Sequence, residues 1–252
     1  MSHPVTAAYH GSLIADALAM PVHWYYNREA LDLDYPNLDQ FCSPLKFHPD
    51  SILWRSEYNT PNEKGDILHD QAVFWGQRNI HYHQNLTAGE NTANFKLARI
   101  LYEQVNTAGH YCETAWLDLY IKKMLTPGWH HDTYLEEYHR GFFTRYAQGK
   151  DSRKCGIRDE HIGGLATVPA LVAALMGSEQ NQKLDREKIR QTVKTHVTLT
   201  HRHGNVLRAA DCLTRLLIDL SDGIPEILNN IKIKYEEQLK RNSVLHNRPY
   251  YS

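Results

Sequence analysis

The sequence has no Cys-x-x-Cys pair. Its cysteines, Cys42, Cys112, Cys155 and Cys212, lie far apart, which excludes a zinc ribbon and a thioredoxin-type redox site. Scattered thiols of this kind point to a reduced, cytoplasmic protein. No apolar run approaches the ~18 residues that a membrane-spanning helix needs. The start, Met1-Ser-His-Pro-Val5, lacks the charged and apolar regions of a secretory signal. Neither sign of charge dominates: 28 Lys and Arg face 29 Asp and Glu, and no basic stripe is present. Nucleic acid and membrane are therefore not expected partners. Strand-like alternation, internal repeats and Gly/Ser linkers are missing as well.

What the chain does have is histidine, 16 of them in 252 residues, and helical periodicity. A 42 % hydrophobic content is enough for a packed core. Apolar residues at Ala7, Leu13, Ile14, Ala17 and Leu18 predict a helix over 7–20, ended by Pro21. Residues 27–68 are punctuated by Pro36, Pro44, Pro49 and Pro61 and read as a long irregular excursion, too rich in aromatics to be disordered. Helices are then expected over 92–105, 112–125, 132–145, 163–175, 185–196, 205–220 and 224 to about 241. Thr133-x-x-Glu136 looks like a capping box for the third of these. The run from Gly163 to Leu175 is apolar on all sides and should be central. The expected fold is a single all-α domain, 1–252.

Polar residues gather where these helices begin. Asp16 sits in a small, apolar helix and must find partners, either on an exposed face, in a helix–helix hydrogen bond or in support of a ligand site. His23 follows beyond the Pro21 break and could point into a cleft. The stretch His81-Tyr-His83 to Asn94 crowds histidines, amides, threonines and Glu90 ahead of a helix. Orphan N–H groups and the helix dipole there favour an anion, and simple capping by Asn91 or Thr92 is the plainer alternative. His130-His131-Asp132 before a helix reads either as the rim of a site or, the favoured alternative, as an Asp132 N-cap with two exposed histidines. Asp159-Glu-His161-Ile-Gly163-Gly164 is a polar turn whose glycines permit close approach of backbone or ligand. Thr200-His201-Arg-His203 precedes the 205–220 helix. Several such helix starts facing one cleft would suit a phosphorylated ligand.

Together these residues resemble the ADP-ribosylglycohydrolase family, in the branch that contains jellyfish J-class crystallins and fish selenoprotein J. The resemblance rests on Ala15-Asp16 through Tyr26, His81-Tyr-His83, Ala88-Gly-Glu-Asn-Thr92, Thr126-Pro-Gly128, His131-Asp-Thr-Tyr134, His161-Ile-Gly-Gly-Leu165 and Thr200-His201, in the family's order. It implies an all-α fold built as a compact multi-helix orthogonal bundle, an ADP-ribose-like ligand or ADP-ribosylated substrate, and a binuclear magnesium or manganese site held by carboxylates. The family's metal positions fall here on His23, Thr92 and Asn94, where the expected glutamate and aspartates are absent. Asp16, His81, His83, Glu90, His161, Gly163 and Gly164 are the ligand-cleft candidates, and no catalytic residue is named. His23, His81, His83 and Glu90 in place of the lost carboxylates would favour a softer metal such as zinc. The family's C-terminal Gly-Asp-x-Asp-Thr motif has no counterpart, so its last helices are expected to be missing after about 241. The apolar surface left by an incomplete array would favour a homo-oligomer. Two functions follow: a hydrolase of ADP-ribosyl N- or O-glycosidic linkages with a degenerate metal site, or an inactive crystallin-like or ADP-ribose-binding relative.

Overall fold

A computed structural model describes residues 4–177 and 185–222. The first helix, α1 (Pro4–Ala19), ends where Met20–Val22 tightens into a 3-10 turn around Pro21. After a short helix, α2 (Arg28–Asp34), the chain runs through 3-10 turns to α3 (Ala93–Ala108). Then come α4 (Glu113–Met124), α5 (Glu137–Ala147), α6 (Val168–Gly177), α7 (Arg186–Thr198) and α8 (Gly204–Ser221). Among the described residues the only β pairing is two isolated bridges, Phe47 with Ile80 and Ile157 with His201. The all-α reading therefore holds. The helix expected over 224–241 lies outside the described residues.

The centre is α6. Val168 and Ala170–Leu175 are all buried, and the helix packs against α1, α3, α7 and α8. An all-apolar helix can only be stable there, because it has no face to offer water. It starts later than Gly163, however. Residues Ile162–Leu165 form a 3-10 turn, and Pro169 sits at the second position of α6, where a missing N–H costs nothing. Gly109, in the left-handed region at φ 71°, ends α3 with its N–H on the Val105 carbonyl. Asp185 caps α7 by accepting from the Lys188 N–H at 2.6 Å.

Two local readings need correction. The 27–68 excursion is not wholly irregular, because Asn27 caps α2 by accepting the Ala30 N–H. The capping box at Thr133-x-x-Glu136 does not form. Residues 132–136 are extended or bent and α5 begins only at Glu137. The Thr133 hydroxyl instead donates to Gln71 at 3.1 Å, and its carbonyl accepts from the Trp75 indole at 2.8 Å. Those partners hold the segment away from helical geometry, and Glu136 is freed to point elsewhere.

Candidate functional site

The N-terminus of α3 forms the floor of a cleft of about 530 Å³, a size that suits a small-molecule ligand. The lining comes from α1 (Asp16), the following turn (His23, Trp24), the α3 start (Thr92, Asn94), the 132–136 segment (Asp132, Glu136) and the Gly163 turn.

Asp16 and Asp132 clamp the start of α3 from outside the helix. Thr92, at the N-cap position, makes no capping bond with its own side chain. Its backbone N–H and its hydroxyl both donate to Asp16, at 2.9 and 2.8 Å, and Asn91 Nδ2 adds a third donor at 3.0 Å. The next N–H, of Ala93, donates to Asp132 Oδ2 at 3.0 Å. Two buried carboxylates thus meet the positive end of the helix, which offsets their charge. Burial raises the Asp16 pKa, against the opposing bonds from Thr92 and Asn91. For Asp132 burial also pushes upward, but His83, His130 and Lys96 outweigh it and hold the carboxyl below its usual range.

Histidines line up behind Asp132. His83 Nδ1 lies 2.8 Å from Asp132 Oδ1, off the in-line hydrogen-bond direction, and His83 Nε2 lies 2.9 Å from His23 Nδ1. His81 is locked behind them: its Nε2 donates to the Pro21 carbonyl and its Nδ1 accepts the His83 N–H. His48 is fixed in the same manner, between the His23 carbonyl and the Asp50 N–H. Burial pushes His23 and His81 down to about 3, with the neighbouring His83 acting in the same direction, so both rings are neutral at ordinary pH. Trp24 stands beside His23 at φ 59°. A bulky residue in that region costs on the order of 1–3 kcal/mol and is held only by its surroundings. Here the rings of Tyr82, His83 and Tyr134 buttress the indole.

Across the cleft, Asn94 ties down Glu136. Its Nδ2 donates to Glu136 Oε2 at 2.7 Å, while its Oδ1 accepts from Tyr138 at 2.5 Å and from His139 Nε2 at 2.9 Å. Gly163 makes room for that carboxylate, because a Cβ there would sit 2.5 Å from Glu136 Oε2. Burial raises the Glu136 pKa, although Asn94 and His161 pull it down. Chemically, the cleft offers a carboxyl able to keep a proton, an aromatic wall and an unoccupied imidazole nitrogen.

A profile of the ADP-ribosylglycohydrolase family matches residues 3–248. The chain belongs to the ADP-ribosylglycohydrolase family. No curated protein and no solved structure matches it significantly.

Of the residues singled out from the sequence, Asp16, His23, His83, Thr92, Asn94 and Gly163 line this family member's cleft. His81 stands behind it, with both ring nitrogens engaged. Glu90 turns away to bond Thr87 and pair with Lys96 at 2.6 Å. His161 projects outward, its Nδ1 2.6 Å from Asp159 Oδ1. Gly164 packs on the His201 ring instead of the cleft. The favoured reading of His130 and Asp132, an exposed histidine and an N-cap, is corrected: both are buried, and Asp132 joins the cleft as the site-rim alternative has it. Sequence reasoning missed Glu136 and Trp24 as lining residues. The signals were present: Glu136 follows the His131-Asp-Thr-Tyr134 motif, and Trp24 follows His23.

The donor set does not fit the paired-ion centre that the resemblance implies. Two close divalent ions need several carboxylate oxygens to offset their repulsion. The Asp16 and Asp132 oxygens already accept from the start of α3 or face His83, and Glu136 Oε2 accepts from Asn94. Among the described residues no group of three or more His, Cys, Asp or Glu is placed to hold a metal ion. The zinc alternative needs His81 and Glu90 turned inward, and neither is. No helix among the described residues is long and apolar enough to cross a membrane.

Proposed function

We propose that this protein is an ADP-ribosylglycohydrolase-like hydrolase that takes an ADP-ribosyl N- or O-glycosidic linkage into the α3 cleft, with the family's metal centre degenerate. The observation that carries this reading is the convergence of Asp16, Thr92 and Asn94, from the family's motif positions, with Glu136 around one cavity of ligand size. Glu136 is suited to donate a proton to the leaving group, because burial keeps its pKa raised. The matched motifs favour the branch of J-class crystallins and selenoprotein J. Exposed Leu33, Phe41, Leu45 and Phe47 supply apolar surface for self-association.

A second reading, an ADP-ribose binder or crystallin-like protein without turnover, draws on the carboxylates that are already engaged by protein donors. The deciding experiment is release of ADP-ribose from ADP-ribosylated protein, compared in EDTA, magnesium, manganese and zinc. Release that Glu136→Gln abolishes supports the hydrolase. Binding of ADP-ribose with no release under any condition supports the second reading, and neither binding nor release rejects both.

A further inference from the structure

Beside the cleft lies a second pocket, of about 430 Å³, lined by Glu137, Arg158, Asp159, Glu160, His161 and His203. The two cavities share a wall. Glu136 lines the cleft and Glu137 the pocket, while Ile162 lines the cleft and His161 the pocket. At both places consecutive residues turn to opposite sides of one ridge of backbone. The pocket's charge is unbalanced. It holds three carboxylates against one guanidinium, and its two imidazoles already face carboxylates, His161 at 2.6 Å from Asp159 and His203 at 3.5 Å from Glu160.

Asp159 defines what the pocket lacks. Its side chain is 3 % exposed. Oδ1 accepts the backbone N–H of His161 at 2.9 Å and faces the ring Nδ1 at 2.6 Å. Oδ2 is buried and has no donor among the described residues. Burial pushes the Asp159 pKa up, but the bonds and charge of His161 outweigh it and hold the carboxyl below its usual range, so the group is ionised at ordinary pH. A buried, charged oxygen without a donor is costly, and a ligand that brings an N–H removes that cost. A metal ion does not suit, because no group of three or more His, Cys, Asp or Glu among the described residues is placed to hold one. A guanidinium or ammonium does, since each carries several N–H donors and a positive charge. Arg158 is exposed where Asp159 is buried, so its guanidinium is free to turn outward as a second cation enters.

The shared ridge says where that cation comes from. An extended peptide advances only about 3.4 Å per residue. A residue close to one held in the cleft can therefore drop its side chain over the ridge. We infer that the Asp159 pocket takes a basic side chain, arginine or lysine, that flanks the ADP-ribosylated residue of a protein substrate. The inference rests on the cleft taking an ADP-ribosyl group. Preference among modified proteins then resides outside the cleft, in Glu137, Asp159 and Glu160.

The test is calorimetric titration into the full chain at pH 8 in EDTA. The probes are free ADP-ribose and ADP-ribosylated serine peptides, alanine elsewhere or with one arginine at successive positions on either side of the serine. Wild type binds at least one arginine peptide about fivefold more tightly than the all-alanine parent. Glu137→Gln combined with Glu160→Gln reduces that preference to less than about twofold and leaves free ADP-ribose binding unchanged. Asp159→Asn, where thermal unfolding shows it folded, loses the preference too. If no arginine position tightens binding, or if the preference survives the double variant, the inference is overturned while the cleft reading stands. If wild type binds neither free ADP-ribose nor any peptide, the cleft reading is overturned and the inference with it.

Discussion

The Asp16 carboxylate accepts both the backbone N–H and the hydroxyl of Thr92, at 2.9 and 2.8 Å. An aspartate from α1 therefore does the capping that α3 does not do for itself. It also pins α3 against α1 at the floor of the cleft. Removing it orphans two buried donors of Thr92 and one of Asn91. Asp16→Ala is expected to destabilise the protein by about 2–4 kcal/mol. Thr92→Val, which loses only the hydroxyl bond, is expected to cost about 1 kcal/mol. Urea unfolding midpoints check both, and an Asp16→Ala midpoint equal to wild type would refute the clamp.

Asp132 predicts the acid response. Burial pushes its pKa up, but the contact and charge of His83, then His130 and Lys96, bring it below the usual range. Its folded pKa thus lies below the unfolded value of about 3.9. The stabilisation is full above that pH and is lost as pH falls through the folded pKa. Asp132→Asn is expected to lose about 2 kcal/mol near pH 7, a deficit that shrinks toward pH 3. Thermal unfolding across that range measures it. A deficit that does not change with pH would mean that the carboxylate acts by shape and not by charge.

The helices were legible because local periodicity creates them. Leu97, Ala98, Leu101 and Val105 bury one stripe of α3, and Leu217 and Ile218 are buried where α8 meets the core. Pro21 stops α1 for reasons of backbone chemistry that no tertiary contact overrides. The site was less legible, because its contacts join distant segments. Thr133-x-x-Glu136 has the spacing of a capping box, yet Gln71 and Trp75 take Thr133 out of helical geometry. Nothing near Asp132 in sequence reveals that its partners are His83 and the Ala93 N–H. His81 and His83 do not sit on one face of an extended segment, because Tyr82–Asn85 form turns. One supports the other from behind, so their pairing was visible and their division of labour was not.

Glu136 should show the trade between stability and function. Burial raises its pKa, so its folded form favours the proton. Its stabilising contribution is full below the unfolded value of about 4.3 and is lost as pH rises through the folded pKa. A neutral isostere escapes that loss. Glu136→Gln is expected to be about 0.5–2 kcal/mol more stable than wild type at pH 8, with the gain vanishing at pH 4. ADP-ribose release should fall at least about a hundredfold in the same variant. Equal stability at both pH values would show that the carboxyl carries no strain.

Gly163→Ala probes the same carboxylate by steric means. The added Cβ would meet Glu136 Oε2 at 2.5 Å, so the side chain must swing off Asn94. A loss of about 1–3 kcal/mol is expected, with weaker ADP-ribose binding. Combining it with Glu136→Ala should recover most of the stability, since the clash and its target disappear together. Two losses that simply add would place the strain elsewhere.

Asn94→Asp returns a carboxylate to the family's metal motif. The amide nitrogen it replaces lies 2.7 Å from Glu136 Oε2, so two carboxylate oxygens would face each other at hydrogen-bond distance. Both cannot ionise at that separation, and the pair must hold a proton. The variant is expected to lose about 2–4 kcal/mol at pH 8 and to recover part of it at pH 5, where the shared proton is easily kept. Magnesium should not restore it at pH 8. Asp16 still serves Thr92 and Asp132 still faces His83, so one new carboxylate gains no partners for an ion. Thermal unfolding with and without magnesium decides the matter. A magnesium-dependent rise to the wild-type midpoint would show that a single substitution separates this cleft from a metal-binding one.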